Sequence, residues 1–292
     1  MSTQPAPAAP LRDPAIGPVP ESQRIQVIDV LRGFALFGVL LINMRNFDLP
    51  NQVWTGTLDR VALWAILGFG DSKFWTIFSF LFGLGFVLQM QRAESRGARF
   101  VGMYARRLLV LLVFGLVHLL IYSGDILYDY AVTGFLLLVL RARPTRGILA
   151  LALVCYVIPI GYYAAEVRTK VAHRSDPQAT QAAAKERARQ KQEDKQWTQM
   201  VTQATFPEVL AWRANRIVPA HFKVERYLWE PGGPGGLLGG PFPLFLLGLL
   251  AGRYRVFQNM RRYLPFFRKV GWWAFAVGAV CSLVSITGNW PD

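Results

Sequence analysis

The sequence predicts an all-α fold, a polytopic transmembrane helical bundle of about seven spans with a cytoplasmic N-terminus. Three observations predict it. First, the 292 residues are 53% hydrophobic and 13% aromatic, with a mean hydropathy of +0.27. Second, long runs almost without charge recur at about 26–44, 73–91, 106–123, 126–140, 147–164, 242–257 and 270–287. Most of them approach the roughly 17–25 residues needed to cross a bilayer core. Third, the arginines cluster in alternate connections: around 92–107, at 141–146 and at 253–269. By the positive-inside rule these are the cytoplasmic connections, which leaves 45–72, 124–125 and 165–241 outside. The alternating strands of a membrane barrel are absent.

Taken in order, residues 1–23 are rich in Pro and Ala and lack periodicity, so they predict a disordered tail. Residues 24–164 form a membrane core of five spans. In the first, Asp29 and Arg32 lie three apart and share a face. Asn43 returns to that side eleven residues later, about three turns on, so a polar stripe runs along an apolar helix. The outside connection 45–72 holds a shorter apolar piece, 61–69, of re-entrant or interfacial character, and a Gly68–Lys73 break. Thr76, Ser79 and Gly83 then recur at helical spacing, the small-residue pattern that lets helices approach closely; packing, not chemistry, is expected of Ser79. Cys155 and Cys281 fall inside spans and read as small apolar residues, not as a disulfide.

Residues 165–240 predict an extracytoplasmic helical loop. Its first part is rich in Ala, Gln, Lys, Arg and Glu and lacks an apolar face, as in a solvated helix or a partly disordered insert. Thr205 and Glu208 then form a capping-box signal. The helix behind them carries Leu210, Trp212 and Ile217 with Arg213 and Arg216, a pattern suited to the membrane–water boundary. Residues 231–241 are a Gly/Pro-rich linker, since no Gly-Lys-Ser/Thr follows that would make a phosphate loop. Residues 241–292 supply the last two spans.

His118 is the one histidine of three inside an apolar run, and an ionisable group at such depth marks a candidate functional site. The plainer alternative is a buried histidine bonded to a neighbouring helix. On a continuous helix it shares a face with Arg107 and Tyr122, and with Asp125 provided Gly124 does not break the helix. An imidazole oriented by a carboxylate is a general base for a hydroxyl or amine nucleophile. Neither a metal cluster nor a GxSxG nucleophile motif accompanies it. The net charge of +14 sits in membrane-flanking turns, so anionic lipid headgroups are its expected partners and nucleic acid is not. Nothing in the sequence bears on oligomeric state.

Several motifs carry a family resemblance. They are Arg24, Asp29, Leu31-Arg32-Gly33 and Asn43, then Lys73-Phe74, Phe78-Ser79, Gly83 and Gly85. Arg106-Arg107, Phe114-Gly115, His118, Gly124-Asp125, Tyr130, Gly134 and the Pro241–Arg253 segment extend them. Over roughly 24–135 and 206–290 the chain resembles the YeiB-like (DUF418) family of bacterial inner-membrane proteins, grouped with the transmembrane acyltransferases of the heparan-glucosaminide acetyltransferase and O-antigen acyltransferase type. The resemblance implies a multi-pass inner-membrane protein that moves an acyl group from cytoplasmic acyl-CoA, such as acetyl-CoA, to an extracytoplasmic hydroxyl or amine acceptor, an envelope glycan or a small molecule. No permanently bound cofactor is implied. It also implies that 241–292 begins a C-terminal region whose further helices lie beyond residue 292.

Asp29, Arg32 and Gly33 match the opening motif of the heparan-type enzymes. Those enzymes carry an acid–base histidine after the first span, where 45–60 here holds none, so His118 takes that role with Asp125 as its orienting partner. Asp29, Arg32 and Asn43 are expected to shape the substrate and acyl-donor path, and Arg106 and Arg107 to contact coenzyme A phosphates. A transporter with the same polar stripe lining its path, or a non-catalytic envelope protein, are the alternatives.

Overall fold

The computed structural model describes residues 24–45, 56–66, 73–122, 124–172, 177–222, 238 and 240–288. The expected tail, the Gly68–Lys73 break up to its last residue, most of the Gly/Pro-rich linker and the extreme C-terminus lie outside them. The described residues form helices and no strand. These are α1 (Gln26–Arg45), α2 (Thr57–Ala65), α3 (Lys73–Ser95), α4 (Phe100–Ile121) and α5 (Leu127–Leu140). They are followed by α6 (Thr145–Ala172), α7 (Pro177–Gln203), α8 (Phe206–His221), α9 (Pro241–Arg253) and α10 (Met260–Gly288).

Within α1, α3, α4 and α6 there are stretches long and apolar enough to cross a membrane: Gln26–Met44, Lys73–Ser95, Phe100–Ile121 and Thr145–Ala165. Two more apolar helices, α5 and α9, are shorter, at 14 and 13 residues. At 1.5 Å per residue they extend only about 20 Å, less than a hydrocarbon core of about 30 Å. Their burial explains why that length suffices. Ten of the residues of α9 are buried, and it packs on α3, α6 and α5. The helices that meet the surroundings are the long ones: Phe34, Phe37 and Leu40 of α1, Leu109, Val113 and Phe114 of α4, and Val157 and Ile160 of α6 are all exposed. Apolar surface on that scale is what a lipid-facing bundle presents and a water-soluble protein avoids.

Glycines set the closest helix contacts. A Cβ on Gly83 would run into the backbone of Phe245, and one on Gly248 into the backbone of Phe80 and Leu84. Each glycine of this parallel α3–α9 pair thus makes room for the other helix, so the expected packing role of Gly83 is met. The same pair is sealed by Phe82 stacked on Phe245 at 4.5 Å, with Tyr130 of α5 edge-on to Phe245 at 5.0 Å. Ser79 is fully buried and donates to the Trp75 carbonyl at 2.7 Å while bonding the Tyr130 hydroxyl, which satisfies its polarity inside the core.

The arginine-rich turns gather at one end. The α3–α4 and α4–α5 connections are short, so these helices run antiparallel in sequence. Arg253, which ends α9, donates to the carbonyls of Arg143 and Arg141, each at 2.7 Å. It thereby satisfies carbonyls left open where α5 stops and fixes α9 beside the α5–α6 turn. At the opposite end α8 packs across α4. The capping signal is realised there: the Thr205 N–H and hydroxyl donate to Glu208 at 2.7 and 2.8 Å. The insert before it, α7, is helical, with Glu193 held by Arg189 at 3.1 Å and Arg216 at 3.6 Å. Cys155 is buried, Cys281 is exposed, and neither is in a disulfide.

Candidate functional site

At the end away from the arginine-rich turns, α4 stops at Ile121, and Tyr122 turns into extended backbone with its N–H on the His118 carbonyl. The helix therefore does not continue to Asp125 as the simple periodicity assumed. The turn through Gly124 brings Asp125 back instead. Its carboxylate accepts His118 Nδ1 at 2.6 Å, the Leu127 N–H at 3.2 Å and the Tyr128 N–H at 2.9 Å. Asp125, one residue before the N-cap Ile126, thus accepts from the first two amides of α5 and is the partner of His118 at once, with a side chain shut off from solvent. Gly115 permits this: a Cβ there would strike the Tyr128 backbone, so its absence lets the start of α5 close on α4 one turn below His118.

In the neutral ring, a carboxylate acceptor places the hydrogen on Nδ1 and leaves Nε2 as the ring's acceptor. The histidine side chain is 42% exposed, so part of the ring is open to its surroundings. Tyr122 lies beside the ring at 5.6 Å between centroids, and its hydroxyl reaches Asn43 of α1 at 3.4 Å. The stripe on α1 is thereby joined to the His118 end. Arg213 of α8, 2% exposed, donates to the Ile121 carbonyl and stands 4.9 Å over the Trp197 ring. It caps the last turn of the helix that carries His118.

At the arginine-rich end lies a partly open cavity of about 320 Å³ between α1, α3 and α4. Its polar lining is Arg32, Gln89, Tyr104 and Arg107. Phe78, Leu81, Phe82, Leu108 and Leu111 make the apolar part. Gly85 keeps it open, since a Cβ there would come within 2.6 Å of Arg32 Nη2. Arg107 bonds the Gln89 side-chain oxygen, a neutral partner, and among the described residues no carboxylate pairs with its guanidinium. Arg32 stands 3.5 Å from Asp29, a half-exposed pair of the weak surface kind.

The expected site residues thus divide into two groups. His118, Asp125 and, through Tyr122, Asn43 meet at one end. Arg32 and Arg107 meet at the other, with Asp29 at the margin. Arg106 is exposed and does not line the cavity. Leu111, the cavity's residue nearest the pair, precedes His118 by seven positions, about 10 Å along α4. Gln89, Tyr104 and Arg213 carry parts that spacing did not single out. A glutamine inside an apolar span was the available signal for the first, and Tyr104 three residues before Arg107 for the second.

The chain is similar to YeiB-type proteins. It is 34% identical over 150 residues to YeiB of Escherichia coli (strain K12), which takes in 48% of this chain and 37% of that protein. It is 39% identical over 158 residues to YxaH of Bacillus subtilis (strain 168), covering 49% and 39%. A 39.9 kDa protein encoded in the amylase 3' region of Bacillus acidopullulyticus shares 39% over 121 residues, 41% and 35%. All three are named as uncharacterized. The matched segments span well under half of these relatives' lengths. No family model and no solved structure matches the chain. The likeness and the apolar helices together fit an integral membrane protein of YeiB-like type.

Proposed function

We propose that this protein is an acyltransferase-like enzyme of the bacterial inner membrane, with His118 as general base and Asp125 as its orienting carboxylate. The observation that carries the reading is the 2.6 Å contact of Asp125 with His118 Nδ1, which leaves Nε2 as the second ring nitrogen of a side chain 42% exposed. In this scheme Nε2 takes the proton of an acceptor hydroxyl or amine as its oxygen or nitrogen attacks the thioester carbonyl of acetyl-CoA or a longer acyl-CoA. The C–S bond breaks, and the departing thiolate recovers the proton from the imidazolium.

The arrangement of charge supports a donor from the cytoplasm and an acceptor from outside. The arginine-rich turns, and with them the cavity holding Arg32 and Arg107, lie at the end that the positive-inside rule places in the cytoplasm. Arg106 and Arg107 at that face suit coenzyme A phosphates, while an envelope glycan or small acceptor reaches His118 from the other side. One observation favours a transporter as the second reading. The same two helices, α1 and α4, carry polar groups at both ends, Arg32 and Arg107 below and Asn43 and His118 above.

The test is incubation of purified protein with labelled acetyl-CoA and a cell-envelope extract. Transfer that is lost in His118→Ala is the expected result. Full transfer by that variant removes His118 as the base, and failure to bind any acyl-CoA removes the enzyme reading in favour of transport.

A further inference from the structure

The geometry points to the Arg32–Arg107 cavity as a binding site for a single-chain anionic amphiphile: one carboxylate or phosphate at the guanidinium groups, with an aliphatic chain along Phe78, Phe82 and Leu111. A lipid ligand here stands without acyl transfer at His118, whereas a thioester ligand rests on that reading.

Charge is the first support. Arg32 and Arg107 both line the cavity, and among the described residues the one carboxylate in ion-pair range of either is Asp29, 3.5 Å from Arg32. Tyr104 lies within reach of both Arg32 and Arg107 and adds a hydroxyl to the lining. A guanidinium beside an apolar wall suits an anion that is itself attached to something apolar.

Size is the second. A cavity of 320 Å³ stands at the low end of the roughly 300–1,000 Å³ typical of small-molecule pockets. A head group and a stretch of chain fit; the nucleotide half of coenzyme A does not fit with them. The third support is Gly85, which buries its place on α3 yet leaves room where any larger residue would displace Arg32.

Two sources share this chemistry: a bilayer lipid such as a fatty acid or lysophosphatidate, and the acyl chain of a soluble thioester whose phosphates stay at the mouth. The test uses the full chain purified in neutral detergent and a photoreactive palmitate. A matching photoreactive fatty alcohol is the uncharged control. Palmitate is expected to label peptides of α3 and α4, and the alcohol to label them far less. Arg32→Gln and Arg107→Gln are each expected to weaken labelling about tenfold, the effect of one hydrogen bond to a charged group. Displacement by lysophosphatidate identifies a lipid ligand, and displacement by palmitoyl-CoA alone identifies the thioester. Gly85→Leu fills the space at the Arg32 tip and displaces it without removing either charge, and is expected to abolish labelling while helicity measured by circular dichroism is retained. Equal labelling by the alcohol overturns the proposal, as does undiminished affinity in both arginine variants. Neither of those outcomes depends on the folding of the glycine variant.

Discussion

Substitution of Asp125 separates the structural and the chemical parts of the His118 site. The carboxylate serves three donors with two oxygens: Oδ1 takes His118 Nδ1 and the Leu127 N–H, and Oδ2 takes the Tyr128 N–H. Asp125→Asn keeps one oxygen and adds an NH2 group. The α5 amides can only donate, so the amide oxygen turns toward them and the NH2 turns toward the ring. Nδ1 then becomes the acceptor and the ring hydrogen moves to Nε2, which takes the base away from the open side. Stability should fall by about 1 kcal/mol or less, because a cap remains. If His118 is the base, transfer should fall by about 100- to 10,000-fold.

Asp125→Ala removes the cap, at about 1 kcal/mol, and the imidazole's partner as well. Since that ring is 42% exposed, water replaces part of the lost bond and the low end of about 1–3 kcal/mol applies. The sum, about 2 kcal/mol, corresponds to a melting temperature lower by about 5 °C for a chain of this size. Nitrogen-15 NMR of labelled histidine reads the tautomer directly, with His118 assigned by its loss in His118→Gln among three histidines. An unchanged tautomer in Asp125→Asn, or an unchanged melting temperature in Asp125→Ala, would refute this account of the site.

Three other outcomes follow from the packing. Gly83→Val or Gly248→Val forces a side chain against opposing backbone that cannot rotate away, and should destabilise the bundle by about 1–3 kcal/mol in thermal unfolding. Tyr130→Phe and Ser79→Ala should each cost about 1 kcal/mol, and the double variant less than their sum, because one shared hydrogen bond is lost in all three. The Thr205 backbone N–H, and after it the Thr205 hydroxyl, hold the Glu208 carboxyl below its ordinary range. The cap therefore contributes fully above that ordinary range and is lost as the pH falls through the lowered value. Protection of the amides at the start of α8 from hydrogen exchange, taken relative to the intrinsic rate at each pH, should fall in acid, and Glu208→Gln should remove that dependence.

Much of the fold was legible because lipid imposes long apolar runs and places arginine at their ends. The count of about seven spans included two short runs, and these became α5 and α9, whose brevity makes sense only once they are seen wrapped by other helices. His118 stood out as the one histidine of three inside an apolar run. Asp125 was found at the right spacing for the wrong reason, since the helix ends before it and a glycine turn delivers it. Arg106 and Arg107 could not be told apart, because both faces of α4 are apolar and only contact with Gln89 of α3 decides which of the two exposed arginines lines the cavity. Arg213 reads as a boundary arginine on an amphipathic helix. Its burial depends on α8 crossing α4 beneath Trp197, which no local pattern announces.

The α3–α9 crossing also constrains how the protein is made. Gly248 leaves the ribosome roughly 165 residues after Gly83, a delay of about 10–30 s at ordinary translation rates. Through that interval α3 must wait in the bilayer with its glycine face bare and its partner not yet synthesised. Insertion of the early helices and completion of the core are therefore separate events. A ribosome that stalls before Pro241 would release a chain that membrane quality-control proteases can recognise by that open seam.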